Sequence, residues 1–200
     1  MSAGTLDVCC IVLAAGSSRR FGSDKRQARL PDGRSLLDAT LAAIPPVFVQ
    51  RLLVLRPGDE ALAVPHANDW QCLFAAAAAS GMGHSLAAGL AACTAGIGAL
   101  VVLADMPAVR PETCNALALM LRPDGITVPR YLGRRGNPVG IGRNYFGDLA
   151  EASGDQGARR LLQDSPAAVR WFDCDDPGIL VDIDEPAAHG GHKGAEGNTG

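Results

Sequence analysis

Several short stretches of this 200-residue chain carry residue types suited to phosphate and metal chemistry. In the first, the apolar run Val8-Cys9-Cys10-Ile11-Val12 passes directly into Leu13-Ala14-Ala15-Gly16, followed by the cations Arg19, Arg20 and Lys25. A buried strand opening into a small-residue, basic loop gathers backbone N–H groups and fixed charge at one point, as a polyphosphate requires. The ligand this predicts is a nucleoside triphosphate. Two commoner phosphate loops are excluded: no Gly-Lys-Ser/Thr closes the stretch, and Gly16 and Gly22 stand six apart, where a dinucleotide fingerprint needs three closely spaced glycines opening a helix. Taken alone, such a loop is also compatible with a solvated turn carrying ordinary surface charge, so the reading leans on the stretches that follow.

Leu100-Val101-Val102-Leu103-Ala104-Asp105-Met106-Pro107 is an apolar run ending in a carboxylate. Strands buried on both faces read as continuous hydrophobic stretches, and ligands of open α/β sheets bind beyond the carboxyl ends of the strands. Asp105 is thereby placed to reach a metal-bound phosphate, and one carboxylate with phosphate oxygens and water makes part of a magnesium site. The other role open to it is capping the helix expected from Pro111. Gly81-Met82-Gly83-His84-Ser85-Leu86 reads as a loop running into a helix N-terminus, with Ser85 as a candidate N-cap. In Arg134-Arg135-Gly136-Asn137-Pro138-Val139-Gly140-Ile141, the Asn137 amide donates and accepts hydrogen bonds but does not titrate near neutral pH. Gly154-Asp155-Gln156-Gly157-Ala158-Arg159-Arg160 reads as an aspartate-capped amphipathic helix. Within Leu180-Val181-Asp182-Ile183-Asp184-Glu185-Pro186, strand alternation puts Asp182 and Asp184 on one face, where the two carboxylates call for a cation.

In this chain order the motifs resemble those of the MobA-like nucleotidyltransferases, most of all their molybdenum cofactor cytidylyltransferase branch, over roughly residues 6–186. The resemblance implies a Rossmann-like three-layer α/β/α fold with a mostly parallel sheet. It also implies an enzyme that moves a nucleoside monophosphate from a triphosphate onto a phosphate-bearing acceptor and releases pyrophosphate. On that basis Leu13, Ala14, Ala15, Gly16, Gly83 and Ser85 contact the nucleotide, Arg20 and Lys25 hold the triphosphate, and Asp105 and Asp182 hold Mg2+. Arg20, Lys25 and Asp105 form the catalytic set. Asn137 and Pro138 fall on the acceptor side, where the branch carries Gly-His-Pro-Val; the asparagine puts an acid–base role there in doubt and leaves a positioning one. Ala15 stands where the guanylyl-transferring branch tends to a second glycine, which favours CTP over GTP. The implied acceptor is molybdenum-bound molybdopterin, with a molybdoenzyme as recipient of the product. Two other readings stay open: a related transferase using GTP or a sugar or alcohol phosphate, and a nucleotide-binding cofactor-delivery protein that does not turn over.

Holding these residues falls to alternating strands and helices. Apolar runs at 8–13, 47–55, 71–74, 99–104, 126–128, 138–141, 169–173 and 179–183 predict strands, and helices are expected near 35–44, 84–95, 111–121, 144–152 and 156–163. Such alternation argues for an α/β layer structure. Residues 75–80 are helical by propensity but lie between a strand and a glycine loop, and stay unassigned. One domain over 1–186 and a disordered glycine-rich tail over 187–200 are expected. A net charge of −3 argues against polymeric nucleic acid as a partner. No stretch has the form of a signal peptide or is long enough to span a membrane. The six cysteines show no Cys-x-x-Cys spacing, and reduced thiols in the cytoplasm are the expectation.

Overall fold

A computed structural model of the protein describes residues 4–16, 24–151 and 166–183. Four parallel strands, β1 (Leu6–Leu13), β2 (Phe48–Leu55), β3 (Gln71–Phe74) and β4 (Gly98–Leu103), stand in the order β3-β2-β1-β4. Beyond β4 come β7 (Val139–Gly142), antiparallel to it, and β5 (Ile126–Tyr131), which pairs antiparallel with β7 and with the short β6 (Arg134–Arg135). On the other side of β5, β8 (Val169–Asp173) runs parallel to it. The helices are α1 (Leu36–Ala42), α2 (Glu60–Ala63), α3 (Met82–Ala92), α4 (Pro111–Met120) and α5 (Phe146–Glu151).

β1 is buried from Val8 to Leu13, and the burial continues through Ala14 and Ala15, which is why the stretch reads as an unbroken apolar run. Its side chains alternate between two cores. Val8, Cys10 and Val12 pack with Leu37 and Leu41 of α1 and Leu117 of α4; Cys9, Ile11 and Leu13 pack with Leu86 and Leu90 of α3 and Leu149 of α5. The sheet is thus covered by helices on both faces, and Cys9 and Cys10 point to opposite sides, as strand periodicity requires. All six cysteines are free thiols.

The connections β1 to β2 to β3 build the sheet in one direction, and the next step crosses back to lay β4 on the other flank of β1. That reversal creates a crevice at the carboxyl ends of β1 and β4, where open α/β sheets bind ligands. α3 is brought down against this region at Gly89, where a Cβ would stand 2.7 Å from Ile11 Cγ2. It enters from Gly81, whose φ of 132° suits only glycine.

Three expectations need correction. The run 179–183 is not a strand: Pro177–Leu180 forms a 3-10 turn whose N-terminal Asp176 side chain accepts from Gly178 N, and 181–183 is irregular. α3 starts at Met82, so Ser85 lies inside the helix and is not its cap. Asp105 does not cap α4 either. The N-cap is Arg110, without a side-chain cap bond, and the buried Asp176 anchors the approach to the helix by accepting from Arg110 N at 2.9 Å and Thr113 Oγ1 at 2.6 Å. Residues 75–80 resolve into turns and a 3-10 segment, Ala78–Ser80. The helix expected at 156–163 and the tail from 187 lie outside the described residues.

Candidate functional site

A cavity of about 430 Å³ opens at the crevice, within the range of small-molecule sites. Its walls are Leu13–Gly16 from the end of β1, Leu103–Asp105 from the end of β4, Ala78–Met82 and Ser85 from the approach to α3 and its first turns, and Lys25 with Arg26. The loop after β1 is held down by Ala14 N donating to Val54 O at 2.8 Å, and the loop after β4 by Ala104 N donating to Leu13 O at 3.2 Å. Thr40 Oγ1 of α1 reaches the Ala104 carbonyl at 3.0 Å, and Ile183 N donates to the Asp105 carbonyl at 3.2 Å. Asp105 is therefore fixed from three directions before any ligand arrives.

Its carboxylate is only half engaged. Lys25 Nζ lies 3.0 Å from Oδ2, while Oδ1 is closed off from solvent and has no hydrogen-bond partner among the described residues. A buried carboxylate oxygen left without a donor is costly unless something else takes it up. A divalent cation facing the cavity fits that need, because magnesium takes one or two carboxylates and completes its shell with phosphate oxygens and water. Among the described residues no cluster of three or more His, Cys, Asp or Glu forms an all-protein metal cage. A cation that shares its shell with a ligand's phosphate oxygens would need no such cage.

Arg26, next in sequence to Lys25, turns away into the protein. Its guanidinium donates to Ala14 O at 2.8 Å, to both Asp24 oxygens at 2.8 and 2.6 Å, and to both oxygens of Asp59, Oδ1 at 2.8 Å. Arg56 adds further bonds to Asp59 and Asp24. Burial raises the Asp59 carboxyl, but hydrogen bonds from Arg26 and Arg56 outweigh it and bring its pKa to about 2. The Arg26 hydrogen bonds hold the Asp24 carboxyl below its ordinary range as well. Sequence reasoning passed over this network, because Asp59 lies 33 residues downstream in a loop with no motif.

The expected site residues fall into three groups. Leu13, Ala14, Ala15, Gly16, Lys25, Ser85 and Asp105 come together on the cavity wall, and Ser85, although buried, makes no side-chain hydrogen bond among the described residues. Gly83 is in the first turn of α3 but not on the wall. Asn137 and Pro138 precede β7, at the sheet edge where β4 ends, and Asn137 N donates to Ile179 O at 3.0 Å; they do not line the cavity. Asp182 is exposed, next to the Ile183 amide that bonds the Asp105 carbonyl; the same-face argument linking it to Asp184 does not hold, since the segment is not a strand and Asp184 lies outside the described residues. Arg19, Arg20 and the 154–160 motif also lie outside them. No helix among the described residues is long and apolar enough to cross a membrane.

A mostly parallel α/β sheet with a cavity at its switch point is the arrangement in which α/β folds bind nucleotides. The chain belongs to the MobA-like NTP transferase domain family, whose model matches residues 10–169. It is 30% identical over 188 residues to the purine catabolism protein PucB of Bacillus subtilis, covering 88% of this chain and 91% of PucB. It is also 30% identical over 202 residues to the nicotine blue oxidoreductase of Paenarthrobacter nicotinovorans, covering 90% and 95% respectively. Among solved structures it is similar to Rv0371c of Mycobacterium tuberculosis, with a TM-score of 0.75 and 29% identity over 90% of this chain and 94% of that one; Rv0371c has also been crystallised in complex with manganese. The first two of these relatives, equal in identity to this chain, carry different names.

Proposed function

We propose that the protein transfers CMP from CTP to a phosphate-bearing acceptor, molybdenum-bound molybdopterin, with release of pyrophosphate. The observation that carries this reading is the buried Oδ1 of Asp105, which has no hydrogen-bond partner among the described residues, on a carboxylate that lines the switch-point cavity and whose Oδ2 meets Lys25 Nζ at 3.0 Å. Asp105 would hold Mg2+, with Asp182 as a second carboxylate; the ion, when bound, neutralises the charge that builds on the phosphate oxygens. The chain's own residues would do the rest. Small Ala14, Ala15 and Gly16 let the triphosphate approach the main chain, Lys25 and Arg20 draw it by charge, and the Ser85 hydroxyl supplies a polar contact on the opposite wall. Attack on the α-phosphorus by an anionic acceptor phosphate needs alignment and charge stabilisation more than a strong base. Asn137 and Pro138 would align that acceptor from the neighbouring stretch of the sheet edge.

Ala15 and the resemblance to the cytidylyl-transferring branch support CTP. Asn137, where that branch has histidine, is what favours the second reading, a transferase using another acceptor such as a sugar or alcohol phosphate or using GTP. Pyrophosphate release, measured with each of the four nucleoside triphosphates and with molybdopterin or a sugar phosphate as acceptor, tests both. Release with CTP and molybdopterin is expected. A GTP preference overturns the nucleotide assignment, and saturable CTP binding without release under every acceptor leaves a nucleotide-binding delivery protein.

A further inference from the structure

At the end of β1 the backbone turns by residue to one neighbouring strand and then the other. Leu13 O accepts from Ala104 N on the β4 side at 3.2 Å, and Ala14 N donates to Val54 O on the β2 side at 2.8 Å. Ala14 O accepts from Arg26 Nη1 at 2.8 Å, again on the β2 side, since the N–H and C=O of one extended residue face the same neighbour. The Ala14–Ala15 peptide is trans and planar, so the Ala15 N–H points opposite to that carbonyl. It is aimed at the β4 side, where the crevice and Asp105 lie. Ala15 is buried on the cavity wall, and its N–H has no hydrogen-bond partner among the described residues. A buried backbone N–H without a partner is rare and costly, and one on a cavity wall is met when an acceptor enters.

The Ala14 and Ala15 methyl groups are packed into the two opposite cores, one on each face of the sheet. The plane of the peptide between them is set by what its carbonyl bonds, and that partner is Arg26. The guanidinium is a rigid planar fork. Its other N–H groups are anchored on Asp24 and on Asp59, which comes from the loop after β2 and accepts in turn from Arg56 N at 2.9 Å. The two carboxylates therefore aim the one bond that reaches Ala14 O. We propose that Arg26 is a positioning residue for nucleotide binding: through the Ala14–Ala15 peptide it holds the Ala15 N–H toward the phosphates, and Asp24 and Asp59 hold Arg26. This rests on the reading of the cavity as a nucleoside triphosphate site. A donor fixed before the ligand arrives needs no reorganisation when charge reaches it.

The test uses two variants of the full chain. Arg26→Met removes the bond to the Ala14 carbonyl together with a cation. The double variant Arg26→Met/Asp59→Leu removes a cation and an anion together, so the net charge is that of wild type and the ion pair is replaced by apolar groups, a change that buried pairs often tolerate. With Mg2+ present, calorimetry reads CTP affinity and NMR reads hydrogen exchange at the Ala15 amide; whichever of the four nucleoside triphosphates binds takes the place of CTP. In wild type the Ala15 amide should exchange without nucleotide and be protected with it. In both variants that protection should be lost and affinity should fall about tenfold or more, the worth of one hydrogen bond to a charged group, in protein that thermal melts show to be folded. Arg143→Met is the control for general loosening, since it frees the Cys93 and Gly96 carbonyls just beyond α3 and should keep nucleotide affinity. Wild-type affinity and Ala15 protection in the double variant overturn the positioning role, as does an equal loss of affinity in Arg143→Met. Wild type that binds nucleotide with the Ala15 amide unprotected overturns this inference alone. Wild type that binds none of the four overturns the nucleotide reading, and the positioning role with it.

Discussion

Lys25 and Arg26 are adjacent in sequence and both buried, yet they belong to two regions of opposite character. Around Arg26 the charge network is closed: Asp24 and Asp59 are met by Arg26 and Arg56, and the remaining guanidinium bond goes to the backbone of the β1 loop. Beside Lys25 the Asp105 carboxylate is only half engaged: one oxygen meets the lysine and the other has no donor among the described residues. A closed network holds a shape, and breaking it exposes buried charge. A carboxylate with one oxygen left without a donor is held by fewer bonds, so its removal should cost less stability. The short 3-10 turn Lys25–Gln27 lets two neighbouring cations face such different surroundings, since successive residues on so tight a turn point apart.

The largest effect expected is on the closed side. Arg26→Met strands two carboxylates that burial disfavours and frees the Ala14 carbonyl, and removing one partner of a buried ion pair costs about 3–5 kcal/mol. Asp24 and Asp59 keep some solvent contact, which places the loss near the lower end. Urea denaturation should register it, alongside a fall in melting temperature of roughly 6–12 °C for a domain of this size. Lys25→Met, one residue away, takes an ammonium from Asp105 on the cavity wall and should cost clearly less than Arg26→Met, which strands two carboxylates and a carbonyl. Equal losses in the two variants would erase the distinction between the regions.

Next is the Asp105 side. Asp105→Asn keeps the shape and removes the charge, so the melting temperature should hold within a few degrees. Pyrophosphate release should fall by about 10²-fold or more, the cost of losing a transition-state charge stabiliser. A variant that melts early and retains turnover would assign Asp105 to the scaffold.

Acid sharpens the comparison with a smaller effect. The Asp59 carboxyl, brought to about 2 by Arg26 and Arg56 against the opposing effect of burial, has a folded pKa below the unfolded value of about 3.9. Its stabilising contribution is therefore complete above about pH 4 and is lost as the pH falls toward 2. Asp24, lowered by the same arginine, adds to the same slope. Stability measured from pH 5 to 2 should decline more steeply in wild type than in Arg26→Met, which has already lost the coupling. Parallel curves would mean the network does not couple to protonation.

How much of this could be read from the chain depends on where each residue's partners lie. β1 and β4 were legible because full burial writes a continuous apolar run, and the residues at their carboxyl ends fall at the crevice by topology alone. The segment 179–183 alternates as a strand would, yet it is not one. Asp176 accepts from Gly178 N and turns the chain there, and β8 already occupies the free side of β5. α3 begins two residues before the expected 84, since Ser85 has the chemistry of a cap but Gly81 has the backbone for the turn. Arg26 was invisible as a scaffold residue because its partners are brought together only by the fold.

The smallest effect belongs to the far side of β4, where Asn137 is held by its backbone N–H to Ile179 O and its side chain makes no hydrogen bond among the described residues. It stands at the same sheet edge as Asp105 but outside the cavity wall, so its amide has no share in either the closed network or the Asp105 pair. Asn137→Ala should leave stability and CTP affinity within experimental error. The acceptor KM should rise by roughly fivefold to tenfold, the worth of one hydrogen bond of about 1–1.5 kcal/mol. Asn137→His, the residue of the related branch, should restore acceptor use if molybdopterin is the substrate, since either side chain can donate to a phosphate oxygen. Calorimetry with CTP and initial rates against acceptor concentration separate these terms. A loss of CTP affinity in Asn137→Ala comparable to that in Lys25→Met would join the acceptor side to the nucleotide cavity, and the division of the sheet edge at β4 would have to be redrawn.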